Sequence, residues 1–236
     1  MSGSTRLRYW LLATLSGALA LICSTMAGAH SIAESDAAFV TGADGAAVIP
    51  FIYLGAKHMV TGVDHLLFLA GVIFFLYRPL DVIKYVTLFA VGHSLTLIIG
   101  VLANLRIDAH LVDAVIGLSI VYKALENMGA LNRLGRFKPH TGTAVFAFGL
   151  CHGFGLATSL QALELSPDGL IANLVSFNIG VEIGQILALS MMLILFSAWR
   201  RSTSFERHAF NSNAILMACG FLATFYQLAA FTFSQA

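Results

Sequence analysis

Four of the eight histidines, His58, His65, His93 and His152, sit inside long apolar runs, together with two carboxylates, Asp64 and Glu182. An ionisable group near the centre of a bilayer costs on the order of 2.5–3.5 kcal/mol on insertion scales, so it normally has a partner or a task. Imidazole nitrogens with carboxylate oxygens suit a divalent transition metal such as nickel, cobalt, zinc, copper or iron, whereas magnesium and calcium prefer all-oxygen shells. His65, His93, His152 and Glu182 fall near the middles of their runs, so four separate segments each offer one ligand at similar depth. One such residue alone would read as an interhelical hydrogen bond. Four together read as a metal-handling constellation rather than a polar packing network or a proton relay.

Helix geometry sharpens the expectation. His58 and His65 are seven residues apart, which puts them on one helix face with an offset of about 20° but about 10 Å apart along the axis. One ion can touch both only if the helix breaks, with Gly62 as the natural place; a straight helix would make them successive stations on a path. Asp64 points about 100° away from His65, which suits it to orient an imidazole rather than to bind metal itself. Asn178, Glu182 and Gln185 fall at i, i+4 and i+7 and form one polar stripe, suited either to line a watery path or to bond between helices. Lys123 and Glu126, at i and i+3, should pair with each other. Cys151, beside His152, projects from another side of its helix and reads as a buried structural thiol.

These residues must be positioned by membrane-spanning helices. The chain of 236 residues is 58% hydrophobic and 11% charged, where a soluble domain carries about a quarter charged residues. So much apolar surface cannot be buried inside a globule of this size, and the lipid bilayer must solvate it. Soluble enzymes, nucleic-acid binders and disordered chains are excluded. The three cysteines lie in apolar runs and imply no disulfide framework. Arg6 and Arg8, an apolar run and Ala27-Gly28-Ala29 read as a signal peptide over 1–29. A polar periplasmic segment over 30–47 follows, and a transmembrane domain fills 48–236. Six apolar segments there are long enough to cross, at 50–77, 82–105, 109–131, 142–163, 170–199 and 213–233. The fold class is therefore all-α, a six-helix bundle whose short loops should pair consecutive helices antiparallel. Arg78 and Lys84, then Arg133, Arg136 and Lys138, then Arg200, Arg201 and Arg207 load alternate turns with positive charge. By the positive-inside rule the mature amino terminus is periplasmic, in the inner membrane of a bacterium. Gly149 with Gly153, and Gly180 with Gly184, form small-residue faces for close helix contact.

The same residues carry a family resemblance. The stretch 55–68, GAKHMVTGVDHLLF, contains His58, Asp64 and His65 and resembles the opening motif of the HupE/UreJ family, membrane proteins accessory to hydrogenase and urease. The stretches GHSLT at 92–96, FGLCHG at 148–153 and FNIGVE at 177–182, with SIV at 119–121 and Glu126-Asn127, are similar to the family's second branch. The likeness covers roughly 48–230. It implies a nickel or cobalt permease. The better-known nickel branch has a motif F-H-G-x-A-H-G-x-E; aligned on His152, this chain has Phe148 for the first His and Gly155 for the Glu. Membership therefore does not carry nickel with it, and His93 and Glu182 stand as replacement ligands.

The expected function is a secondary permease for a divalent transition metal, with His58, Asp64, His65, His93, His152 and Glu182 as the metal-handling residues and Asn178, Gln185 and Glu126 in support. No G-x-x-x-x-G-K-S/T motif occurs, so ATP would not drive it. Two alternatives stay open. One is an intramembrane enzyme built on bound zinc or iron; the other is a structural or assembly subunit of a membrane complex. A second copy of the chain, or a membrane-complex partner, is compatible with all three.

Overall fold

The computed structural model describes residues 40–42, 45–161 and 166–234; the expected signal peptide lies outside them. All regular structure among the described residues is helical: α1 (Val48–Thr61), α2 (Val63–Ile73), α3 (Pro79–Leu102), α4 (Ala109–Asn127), a 3-10 segment (Ala130–Phe137), α5 (Thr141–Gln161), α6 (Leu170–Arg200) and α7 (Thr203–Ser234). Four of them, α3, α5, α6 and α7, are each long and apolar enough to cross a membrane. A fifth candidate is α4 taken with the 3-10 segment, which turns away from it by 95°. The chain is an all-α, multi-pass membrane protein.

The segment expected as one span over 50–77 is two helices. Gly62 stands between α1 and α2 in extended backbone, φ −69° and ψ 100°. Hydrogen bonding continues on both sides of it, Gly62 N–H donating to His58 O at 2.9 Å and Leu66 N–H to Gly62 O at 3.0 Å. Gly62 itself therefore keeps both its N–H and its carbonyl hydrogen-bonded through the turn. Other boundaries move too. The third segment stops at Asn127 because Gly129 takes a left-handed conformation, φ 76°, the usual stop signal. The last begins at Thr203, well before the expected 213.

Consecutive helices are not the main packing partners, contrary to the expectation from short loops. The most extensive contacts join α3 to α5, α1 to α6 and α4 to α7. Glycine explains the choice, since lipid-embedded helices associate where small residues let backbones approach. In α1–α6, Gly55 meets the backbone of Phe177 and Val181, Gly180 that of Ile52 and Gly184 that of Ala56. In α3–α5, Gly92 faces Phe146 and Leu150, Gly149 faces Phe89 and Gly153 faces His93. In α4–α7, Gly117 and Gly220 face each other. A side chain at any of these glycines would collide with main chain. The register also gives direction. α1 runs parallel to α6 and α3 parallel to α5, whereas α4 runs antiparallel to α7.

Two polar side chains fasten the broken segment. Asn173 accepts from Ala47 N–H at 2.7 Å and donates to Gly45 O at 3.0 Å, tying the start of α1 to α6. Arg200 donates to Leu76 O at 2.9 Å, to Phe74 O at 2.8 Å and to Ile73 O, which supplies the donors that the end of α2 lacks. Its guanidinium also lies over the rings of Tyr77 and Phe196.

Candidate metal centre

The break at Gly62 brings together what a straight helix would separate. His58 closes the last turn of α1 while Asp64 and His65 open α2. The rings of His58 and His65 lie 5.1 Å apart between centroids. His65 is also 5.8 Å from His93 and 4.9 Å from His152. His65, His93 and His152 are fully buried and Asp64 nearly so, with His58 half-buried at the edge. What demands glycine at 62 is space. Its φ suits any residue, but a Cβ would stand 2.8 Å from His65 Nδ1 and 3.0 Å from His58 O.

His93 and His152 arrive from the tightest part of the α3–α5 contact. Gly153 lets α5 close onto the backbone of His93, and Thr96 Oγ1 donates to Leu150 O across the same contact at 2.8 Å. Phe89 packs on His93 and His152, and Phe68 on His152, giving the cluster apolar walls. Those walls hold the imidazoles apart from lipid without competing for their nitrogens.

The donors form two overlapping triads. The ligand atoms of His58, His65 and His93 lie within 4.8 Å of one another, as do those of Asp64, His65 and His152. His65 belongs to both. A tetrahedral ion with bonds of about 2.0–2.1 Å draws its nitrogens to about 3.3 Å apart, so modest side-chain movement would close either triad.

Polar contacts reach one ring nitrogen each of His65 and His152. Asp64 Oδ1 lies 3.2 Å from His65 Nδ1. A carboxylate only accepts, so it favours the proton on Nδ1 and leaves Nε2 as the donor atom. Ser119 Oγ, which donates to Ile116 O at 2.6 Å, also lies 3.3 Å from His152 Nε2. Ser119 entered the sequence reading only as part of a matching stretch, because no spacing rule connects it to a histidine on another helix.

The remaining expected residues are placed as follows. Glu182 is exposed on the outward face of α6 and belongs to neither triad, so the structure does not bring it to the histidines. Asn178 and Gln185 are buried, so the stripe on α6 divides between two faces. Asn178 donates to Leu174 O within its own helix at 2.9 Å, and Gln185 donates across to Val86 O on α3 at 3.3 Å. Lys123 donates to Glu126 at 2.7 Å, the expected pair. Cys151 is half-buried and unbridged.

The protein-family model described as HupE / UreJ protein matches residues 34–235. No curated protein matches the chain, and no solved structure does.

Proposed function

The chain belongs to the HupE/UreJ family, and from that membership we propose that it is a membrane permease for a divalent transition metal, nickel, cobalt or a similar ion. The observation that carries the reading is the double triad sharing His65. Two adjacent three-donor sites with a common ligand let an ion pass from one to the other while one bond is kept. His58, at the half-buried edge, is the first donor to meet an ion. His65 and His93 complete the first site; Asp64, His65 and His152 make the second.

Helix direction supports six crossings, with α1 and α2 together as the first. Alternating crossings make the first and fifth parallel, the second and fourth parallel, and the third and sixth opposed. The contacts of α1 with α6, α3 with α5 and α4 with α7 have these directions. The cations of 78–84, 133–138 and 200–207 then share one side, the cytoplasmic side by the positive-inside rule. By the same rule the amino terminus is periplasmic, and we assign the protein to the inner membrane.

The test is flux. Purified protein in liposomes enclosing a metal-sensitive dye should admit nickel, cobalt or zinc, and His65→Ala should abolish the signal while inserting normally. No flux of any of these ions, together with one metal per chain retained after chelator, would replace this reading with that of a resident catalytic metal.

A further inference from the structure

A second charged group lies along α4 from the imidazoles. Ser119, against His152, is followed one turn on by Lys123 and a turn later by Glu126. Lys123 Nζ donates to Glu126 Oε2 at 2.7 Å, and the two side chains are only 8% and 7% exposed. The other carboxylate oxygen accepts from Thr141 Oγ1 at 2.7 Å and lies 3.8 Å from Lys138 Nζ. The stem of Lys123 packs on Gly71 of α2, where no side chain intervenes. Asn127 Nδ2 fixes the surroundings by donating to Gly71 O at 2.8 Å and to Asn213 Oδ1 at 2.9 Å. The pair thus fills the space between α2, α4 and α5 that separates the His65–His152 site from the cationic turn at 133–138.

A buried ion pair is a weak source of stability, and apolar replacements of similar volume are often neutral or better. An ammonium here nevertheless has a direct electrostatic consequence. Lys123 lies nearer Ser119 and His152 along α4 than Glu126 does, so a divalent cation leaving the imidazoles meets the positive end of the pair first. Like charges repel far more strongly at low dielectric than in water. We propose that Lys123 is a tethered cation that closes the cytoplasmic exit of the metal route, and that Glu126 offsets part of its charge. The inference rests on the permease reading. It assigns the pair to release of the ion and not to its binding.

The experiment measures cobalt flux in proteoliposomes for wild type, K123M, E126Q and the double variant K123M/E126Q. Folding is followed by size-exclusion elution and by cobalt binding at the histidines. K123M should raise flux about fivefold or more. E126Q should lower it, because Lys123 then stands without its counter-charge. The double variant should exceed E126Q by about fivefold or more, since the barrier itself is gone. Equal flux in K123M and wild type would overturn the proposal, as would a double variant no faster than E126Q. Should K123M fail to fold, the double variant leaves neither charge of the pair behind and decides the matter against wild type: flux at or below wild type overturns the proposal. Absence of wild-type flux would overturn both this role and the permease reading, whereas wild-type flux unchanged by K123M removes this role alone.

Discussion

His58 and His65 are seven residues apart in the chain, yet their ring centroids lie 5.1 Å apart. A continuous helix would separate them by about 10 Å along its axis. The difference is made by one residue, Gly62, whose extended backbone ends α1 and starts α2.

Gly62→Ala should therefore disrupt the site without unfolding the chain. The alanine backbone tolerates φ −69°, but its methyl would stand 2.8 Å from His65 Nδ1 and 3.3 Å from Asp64 Oδ1. Nickel or cobalt affinity, measured by equilibrium dialysis, should fall about tenfold or more, while helical circular dichroism stays at the wild-type level. Unchanged affinity would mean that the imidazoles need not converge.

Substitutions of the shared and unshared histidines should differ. His65→Ala removes a donor from both triads and should abolish binding, whereas His93→Ala and His152→Ala each leave the other triad whole. Asp64→Asn keeps the shape but removes the negative charge that favours the proton on His65 Nδ1, and a loss of about 10–100-fold is expected. The visible absorption of bound cobalt reports the remaining donors directly. Equal spectra for all four variants would contradict the two-triad arrangement.

Glu182→Gln should leave cobalt affinity and spectrum unchanged, because Glu182 faces away from the histidines. A tenfold loss would return it to the ligand set and require α6 to rotate.

Arg200→Met should destabilise the bundle through α2. Three carbonyls, those of Ile73, Phe74 and Leu76, lose their charged donor. A loss of about 2 kcal/mol is expected, read as a lower thermal midpoint in detergent. No change in the midpoint would show that lipid or water satisfies those carbonyls as well.

Much of this protein was legible one residue at a time. Asp64, His65, His93 and His152 are readable because charge is rare in the apolar runs, and an imidazole in hydrocarbon is costly whatever surrounds it. The glycine faces at Gly149 with Gly153 and Gly180 with Gly184 were readable for a similar reason, but not the partners they select. Arg200 read as a topological charge, and its grip on the end of α2 depends on a fold that brings residues 73–76 to it.

Sequence alone determined the solvent, the helical class and the list of costly polar groups, since each follows from the free energy of transferring single side chains and backbone units into lipid. Only the tertiary structure decided which of those groups meet. It paired helices by backbone approach at glycines rather than by order in the chain, admitted His58 through the break at Gly62, and turned Glu182 outward. Convergence depends on helix rotation and register, set by packing between segments distant in sequence. Helical periodicity relates residues on the same helix only, so it could not supply them.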